Sequence, residues 1–263
     1  MRVAALFDIH GNLPALEAVL EDVGAAGVDL IVVGGDVIPG PMPRESLECL
    51  LRLRPPARFI HGNCELATLA QMAALEGREV AYWGTKSGKP PPEADRVYMR
   101  WTAERLYPDY ESILASWPRT LRLEIGGLGL VLFCHGTPRS ETEIVLRTTA
   151  DDRARPVYED LQASIVVCGH THMPFDRMIG TTRVVNAGSV GMPFGEPGAY
   201  WALLGPRVEL RRTRYDLAKA AERIRATSYP QAEQDARQLL EPASEAEALE
   251  MFSKAEVGAP QPA

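Results

Sequence analysis

Residues 165–172 read IVVCGHTH, an apolar run followed by a glycine and by two histidines, His170 and His172. The apolar run has the length and composition of a buried β-strand. In an extended or tightly turned backbone, side chains two positions apart leave on the same side. The two histidines can therefore form a metal-binding pair. Such short pairs also arise by chance, so whether this pair binds metal depends on residues elsewhere in the chain.

The N-terminal part of the chain alternates apolar runs with amphipathic segments. Residues 3–7 and 30–33 are continuous apolar runs that end in polar turns, as buried parallel strands do. Pro14 suits the first turn of a helix, and the apolar residues that follow it recur at helical spacing until the glycines at 24 and 27. A further helix is predicted around 47–51 and a third strand at 58–60. This alternation predicts an α/β fold.

The remainder of the chain adds helices at two places. From residue 66 to about 118 we predict a helical insertion that overhangs the functional site, broken by a proline-rich turn at 86–92. We predict a core domain over 1–214, which includes this insertion, and a helical C-terminal extension over 215–263 with a frayed tail from Gly258. Further strands are predicted at 121–125, 128–134, 164–167, 182–185, 200–204 and 208–212, with hairpins joining the first two and the last two.

The composition is that of an ordinary globular protein. Hydrophobic residues make up 46% and charged residues 24% of the 263 residues, which indicates neither disorder nor a fibre. We find no apolar run long enough for a membrane span and no signal peptide, so we predict a cytoplasmic protein without a membrane partner. The net charge of -7 disfavours extended nucleic-acid binding, which depends on neutralising many phosphates. The four cysteines are too scattered for a zinc knuckle or a disulfide framework.

Metal-capable side chains follow five predicted strands within two or three residues. Ligands of open α/β sheets collect at the carboxyl ends of the strands, so these positions are expected to converge. Taken singly, each has an ordinary interpretation as a helix cap, a turn residue or a buried histidine. Only the joint pattern favours a metal site. The candidates are Asp8, His10, Asp36, Asn63, His135, His170 and His172.

Seven ligands are too many for one ion with open coordination positions. They suit two ions bridged by a carboxylate, a site that generates hydroxide from water and holds a phosphoryl group for in-line displacement. Carboxylate, amide and imidazole ligands fit divalent manganese, iron, zinc, cobalt or nickel. The pattern therefore indicates two divalent transition-metal ions and phosphoester hydrolysis.

The order of these motifs resembles that of the calcineurin-like metallophosphoesterases. The resemblance rests on Asp-x-His, Gly-Asp, Gly-Asn, His-Gly and Gly-His-x-His, and it covers the chain from Val3 to about Arg212. It implies the family's two-sheet β-sandwich flanked by helices, which the periodicity alone does not predict. The fold class expected for this α/β (α+β) chain is thus that sandwich, with the helical insertion and the helical C-terminal extension.

The resemblance also assigns the ligands. It implies that Asp36 bridges the two ions, and that Asp36, Asn63 and His135 act in catalysis by positioning the metals and the attacking hydroxide. Of the histidine pair, His170 then serves one ion and His172 the other. The implied sets are Asp8, His10, Asp36 and His172 for the first ion, and Asp36, Asn63, His135 and His170 for the second.

One position departs from the family pattern. Many members have a histidine after the Gly-Asn pair, which contacts phosphate and assists the leaving group, whereas this chain has Cys64 followed by Glu65. A thiol is a poor proton donor to a leaving group, so general-acid help from this position is not expected. A branch of small bacterial and archaeal phosphodiesterases that this chain resembles also has cysteine there. Asn12 and Cys64 are the candidate substrate contacts.

We therefore expect a binuclear metal-dependent phosphoesterase, and specifically a phosphodiesterase that hydrolyses a small phosphorylated substrate by attack of metal-bound hydroxide. The alternatives are a catalytically silent scaffold with this fold, and a phosphomonoesterase or nuclease of the same superfamily. The physiological substrate, the native metals and the oligomeric state stay open at this stage.

Overall fold

The structure is a computed structural model that describes residues 1–54 and 57–259. Within these ranges the chain forms ten strands and nine helices. The strands are β1 (Val3–Leu6), β2 (Leu30–Val33), β3 (Ala57–Phe59), β4 (Thr120–Ile125), β5 (Gly129–Cys134), β6 (Ile165–Cys168), β7 (Phe175–Ile179), β8 (Thr182–Asn186), β9 (Ala199–Leu204) and β10 (Val208–Thr213). The helices are α1 (Leu13–Ala26), α2 (Pro43–Leu51), α3 (Asn63–Leu75), α4 (Glu93–Leu106), α5 (Glu111–Ala115), α6 (Asp151–Tyr158), α7 (Leu217–Arg225), α8 (Ala232–Leu240) and α9 (Glu245–Ser253).

The strands form two five-stranded mixed sheets. The first has the order β10-β9-β1-β2-β3 and the second the order β4-β5-β6-β8-β7. Strands β1, β2 and β3 are parallel, as are β5, β6 and β8, while β9 and β10 form an antiparallel hairpin beside β1. The expected sandwich flanked by helices is confirmed, and so are the two predicted hairpins.

Strand β1 shows how the layers are held together, because both of its faces are buried. Val3 and Ala5 point into an apolar layer between the two sheets, where side chains such as Phe133 of β5 meet them. Ala4 and Leu6 point the other way, into a second apolar layer. This second layer lies between the first sheet and its helices. A β-strand with alternating side chains can be apolar throughout only when both faces are covered, as here.

The helical segment between β3 and β4 belongs to the same core. Met72 of α3 and Leu106 of α4 pack in the layer beneath the first sheet, and Trp117 stacks on Phe59 with ring centroids 4.7 Å apart. Helix α3 begins at Asn63, three residues before the expected start of the insertion. The segment is therefore built onto the sheet through its apolar faces.

Two elements were not predicted from the sequence. Strand β7 is an outer strand of the second sheet. Phe175 and Ile179 at its ends are buried, and the three residues between them are exposed or half-buried. Helix α6 has a proline inside it and only three buried residues, so its apolar periodicity is weak.

The end of α1 differs from the expectation that both glycines close it. Gly24 lies inside α1, and Gly27 alone ends that helix, with a left-handed φ of 62°.

The C-terminal segment is helical, and α7 packs against α8. Part of the predicted frayed tail, residues 260–263, lies outside the described residues. Among the helices of the described ranges, none combines the length and the apolarity that a membrane span requires.

Candidate metal centre

Both sheets deliver candidate ligands to the same end of the sandwich. The loops after β1, β2 and β3 come from the first sheet, and those after β5 and β6 from the second. Backbone hydrogen bonds join these loops: the amide of Asp8 donates to Gly35, that of His10 to Asp36, and that of Gly169 to His135, at 2.9 to 3.1 Å. The strand-end pattern therefore brings the candidate ligands into one constellation. Each follows its strand directly or within four residues: Asp8 and His10 after β1, Asp36 after β2, Asn63 after β3, His135 after β5, and His170 and His172 after β6.

The backbone of these loops is unusual in that most of the candidate ligands have left-handed conformations. In the described ranges, six residues other than glycine have a positive φ, and five of them are candidate ligands with φ between 49° and 65°. Such conformations are uncommon outside glycine and cluster at functional sites. The five are Asp8, His10, Asp36, His170 and His172.

The first group of possible ligands comprises Asp8, His10 and His172. One ligand atom from each lies within 4.8 Å of the other two. The Nε2 atoms of His10 and His172 are 3.1 Å apart, and Nε2 of His172 is 3.3 Å from Oδ1 of Asp8. Oδ2 of Asp8 accepts a hydrogen bond from the backbone amide of His170 at 2.9 Å. These three residues belong to the set implied for the first ion.

The second group comprises Asp36, His135 and His170, again within 4.8 Å. Nε2 of His135 is 3.3 Å from Oδ2 of Asp36. Asp36 is also grouped with His10 and Cys64, so it stands between the two sides of the constellation. The described part of the chain thus contains three overlapping groups of possible ligands, and Asp36 belongs to two of them.

The hydrogen bonds of two histidines hold Nδ1 and leave Nε2 free to face the constellation. Nδ1 of His135 lies 2.9 Å from the carbonyl oxygen of Gly34, and Nδ1 of His172 lies 2.7 Å from that of Met192. A carbonyl only accepts, so each Nδ1 carries a proton, and Nε2 would become an acceptor once the ring gave up its second proton to a metal. Metal-bound histidines are held in this way, with the outer nitrogen donating to the protein.

Several acceptor atoms at the centre have no hydrogen-bond partner among the described residues. Oδ1 of Asp8, Oδ1 of Asn63 and Nε2 of His135 are buried and unpaired. Buried polar atoms are nearly always satisfied, and atoms left without a partner need an explanation such as an ion. Carboxylate, amide and imidazole groups are the ligands that such ions take. The donor set therefore fits divalent transition-metal ions.

The histidines differ in their affinity for protons. Burial, together with the neighbouring His172, lowers the pKa of His10 to about 4, and burial together with His135 lowers that of His170 to about 4. Burial also acts to lower the pKa of His135, but the facing carboxylates of Asp36 and Asp8 outweigh it and raise the value to about 10. His10 and His170 are thus neutral at pH 7, in the form that binds metal.

The carboxylates stay ionised although they are buried. Burial acts to raise the pKa of Asp8, but the facing His172 and His135 outweigh it and lower the value. Burial opposes ionisation of Asp36 in the same way, and His135 overcomes it and brings the pKa far below its usual range. The ionised carboxylates raise the pKa of the facing His135, which shows that the centre favours positive charge.

Glu65 supports the centre, and sequence reasoning assigned it no role. Its buried carboxylate accepts hydrogen bonds from the backbone amides of Gly62, Asp36 and Val37 at 2.7 to 2.8 Å. It therefore fixes the loop after β2 against the start of α3, which carries Asn63. Burial and the neighbouring Asp36 raise the pKa of Glu65 to about 7.

The loop after β8 is hydrogen-bonded to the loops that carry the candidate ligands. The side-chain amide nitrogen of Asn186 donates to the backbone carbonyl of Gly169 at 2.6 Å, and the hydroxyl of Ser189 donates to the backbone carbonyl of Asp8 at 2.8 Å.

The close packing around the two carboxylates also requires two glycines. A Cβ at Gly62 would lie 2.2 Å from Oδ1 of Asp36, and one at Gly169 would lie 2.4 Å from Oδ2 of Asp8.

The two candidate substrate contacts have structural partners. The Asn12 side chain accepts from the amide of Ala15 at 3.2 Å, which caps α1, and donates to the carbonyl of Gly191 at 2.9 Å. The backbone amide of Cys64 donates to Oδ1 of Asp36 at 2.9 Å, and its half-buried sulfur accepts from the Asn63 amide at 3.4 Å. Burial and the nearby Asp36 raise the pKa of the Cys64 thiol well above its usual range. Substrate binding by these residues stays a prediction.

Known proteins match this chain over most of its length. The family model described as the calcineurin-like phosphoesterase superfamily domain matches residues 1–205. An uncharacterized protein from Methanocaldococcus jannaschii is 27% identical over 251 residues, which is 87% of this chain and 94% of that protein.

Two solved structures share the fold over most of their length. A metallophosphoesterase from Sphaerobacter thermophilus is 27% identical and has a TM-score of 0.67, covering 91% of this chain and 99% of its own. A hypothetical protein from Pyrococcus horikoshii is 22% identical with a TM-score of 0.73, over 90% of this chain and 97% of its own, and shows similarity of fold.

Proposed function

This chain belongs to the calcineurin-like phosphoesterase superfamily, and we propose that it is a binuclear metal-dependent phosphodiesterase acting on a small phosphorylated substrate. Membership implies phosphoester hydrolysis in general. The number of ions, the preference for diesters and the residue roles are our proposal.

The unpaired acceptor atoms at the centre carry this proposal. Oδ1 of Asp8, Oδ1 of Asn63 and Nε2 of His135 are buried without a partner among the described residues. Asp8 and His135 belong to the groups of possible metal ligands, and Asn63 precedes Cys64, which belongs to a third such group. A catalytically silent scaffold has no need to keep such atoms unpaired, because each costs about 1–3 kcal/mol of stability. Their retention favours a working metal site.

The proposal gives each ligand a task. Asp8, His10 and His172 would hold one ion, and Asp36, His135 and His170 would hold the other. The motif adds Asn63 to the second set. Bound divalent ions would lower the pKa of water and stabilise negative charge on the phosphoryl oxygens. The protein orients the imidazoles through Gly34 and Met192 and keeps the carboxylates ionised. No side chain forms a covalent intermediate.

The charge around the centre supports a diester rather than a monoester. A small cavity beside His10 is lined, within the described ranges, by no lysine or arginine, and it includes the carboxyl of Asp235. A phosphodiester carries one negative charge and a phosphomonoester close to two at neutral pH. A wall without cations binds the less charged ester with less repulsion.

The proposal is tested by measuring metal content and hydrolysis together. Purified protein is supplied with manganese, iron, zinc, cobalt or nickel, and its turnover of bis-p-nitrophenyl phosphate is compared with that of p-nitrophenyl phosphate. We expect about two ions per chain and a higher kcat/KM for the diester. Asp36→Asn and His172→Asn should lower both the metal content and the turnover, the latter by more than about 100-fold, which exceeds the usual loss from residues that only contact a ligand.

His61→Asn is the matched control for metal content, because His61 is half-buried near the centre but belongs to none of the metal groups among the described residues. Protein that binds no transition ion and leaves both esters intact would support the silent scaffold instead. Preferred turnover of the monoester would support a phosphomonoesterase, and degradation of DNA at low salt a nuclease.

A further inference from the structure

The C-terminal helices cover one side of the metal centre. Helices α7 and α8 lie over the loop after β1 and enclose a cavity of about 20 Å³ with it. His10 and Asn12 line the cavity from the loop, and Ile224, Asp235 and Leu239 line it from the helices. A cavity of about 10–15 Å³ already accommodates one water molecule when polar groups surround it. The residues from α7 and α8 come after the segment that the family model matches, which ends at 205.

Asp235 is the ionisable group that α8 places in this cavity. It is half-buried, and burial raises its pKa to about 7, with no charged neighbour among the described residues contributing to the shift. A carboxyl that is partly removed from water and has no cationic partner is unfavourable for folding and therefore indicates a functional position. It is therefore protonated far more readily near neutral pH than an exposed aspartate is.

The groups that face Asp235 come from three other parts of the fold. Tyr98 of α4 and Tyr229 of the segment before α8 lie close enough for its charge to influence their pKa values, and His10 lies across the cavity. Arg223 and Arg225 of α7 are not among the lining residues, since they pair with Glu17 and Glu233. The neighbourhood is aromatic and neutral.

Hydrolysis at the proposed metal centre needs a proton donor for the leaving group. Rupture of a P–O bond leaves an alkoxide or phenoxide that has to be protonated when its parent alcohol is a weak acid. Cys64 occupies the position next to Asn63, and a thiol is only a weak hydrogen-bond donor. Cys64 and Asp235 are on the same side of the centre. Cys64 is grouped with His10 and Asp36, and Asp235 lines the same cavity as His10. The charges of both Cys64 and Asp235 also act on the pKa values of Tyr98 and Tyr229.

We propose that Asp235 is the general acid of this centre and protonates the leaving oxygen of the phosphoester through one water molecule in the cavity beside His10. The assignment rests on the proposed phosphodiesterase function. As the bond between phosphorus and the leaving oxygen breaks, the cavity water gives that oxygen a proton and takes one from Asp235, which becomes a carboxylate. The attacking water forms the new bond to phosphorus and loses its proton to solvent, and Asp235 regains a proton from solvent before the next turnover. One diester and one water become one alcohol and one phosphomonoester.

The test compares leaving groups. Methyl p-nitrophenyl phosphate and methyl phenyl phosphate differ only in the acidity of the departing phenol, and p-nitrophenol, the stronger acid, departs without protonation. In Asp235→Asn the loss of kcat/KM should be at least about tenfold greater for the phenyl ester, because general acids contribute about 10²–10⁴-fold. For the wild-type protein, kcat/KM on the phenyl ester should fall as the pH rises above about 7, and this fall should be absent in the variant.

Glu233→Gln is the matched control, because Glu233 is an exposed carboxylate on the same helix. It should change neither the ratio between the two esters nor the pH profile. Bound metal and circular dichroism are measured for each variant, and Asp235→Asn should match the wild type in both. An equal loss on the two esters, or a retained pH profile, would overturn the assignment of Asp235 alone. A wild-type protein that hydrolyses neither ester would overturn the proposed function and the assignment with it.

Discussion

Removal of the Glu65 carboxylate should separate the two loops that carry Asp36 and Asn63. In Glu65→Ala, three buried backbone amides lose their acceptor: those of Gly62, Asp36 and Val37. Each buried donor without a partner costs about 1–3 kcal/mol. Because water can enter the space left by the shorter side chain, we take the lower end and expect a loss of about 3 kcal/mol in the free energy of unfolding.

The same substitution should weaken metal binding although Glu65 is not a candidate ligand. Glu65 fixes the backbone on both sides of Asp36. Groups that orient ligands typically contribute 10–100-fold to metal affinity. The free energy of unfolding is measured by urea denaturation in the presence of a chelator, so that metal binding does not contribute. Metal affinity is measured separately, by competition with a chelator of known affinity.

Glu247→Ala is the matched control for Glu65→Ala. Glu247 occupies the same position in the first turn of α9, where it accepts from the Ser244 amide at 2.8 Å, but it is exposed and distant from the metal ligands in the chain. Its removal should have a smaller effect on unfolding and none on metal affinity. If Glu65→Ala were as stable as Glu247→Ala and bound metal equally well, the idea that Glu65 fixes the two loops would be refuted.

Three further predictions concern the metals, Cys64 and Asp235. A chelator should lower the melting temperature, because a ligand at 100 times its dissociation constant stabilises the native state by about 2.7 kcal/mol; an unchanged melting temperature would contradict metal binding. Cys64→His should keep the metal content and raise kcat/KM for esters with poor leaving groups by about tenfold, since it adds an imidazole donor; loss of metal would count against this. Asp235 has a pKa raised from 3.8 to about 7, so the native state binds more protons than the unfolded state in that range and stability falls as pH rises through it. In chelator-treated protein, the free energy of unfolding of Asp235→Asn minus that of the wild type, measured by urea denaturation, should therefore increase by about 1–2 kcal/mol between pH 4 and pH 8. This value is discounted for the partial exposure of Asp235. A difference that does not change with pH would contradict the prediction.

The positions of the candidate ligands were accessible from the sequence because of the way parallel strands end. An apolar run followed at once by Asp, Asn or His identifies a strand end, and parallel strands place their carboxyl ends on one edge. The periodicity did not predict the sandwich. A strand such as β1 is apolar on both faces whether helices or a second sheet cover it, so its pattern is the same in the two architectures. The family resemblance made that distinction.

The roles of Glu65 and Asp235 could not be predicted from local patterns. Glu65 stands in the first turn of a helix, where an acidic residue is common on an exposed surface. Asp235 lies in α8 near Glu233 and Arg237, and this charged pattern is typical of a solvent-facing helix surface. Contacts between distant segments bury the two carboxyls, and nothing in their own neighbourhood in the chain records those contacts.

The left-handed backbone of the ligand loops limits which residues can replace a ligand without loss of the fold. Asp, Asn and His are the residues other than glycine that adopt this conformation most readily, and two of these three types supply all five left-handed ligands. Asn or Gly at Asp8 or Asp36 would therefore leave the loop shape intact while weakening the metal site, whereas valine or isoleucine would disturb the loop itself. Such mild substitutions would remove the proposed metal site and leave the fold and its surface unchanged.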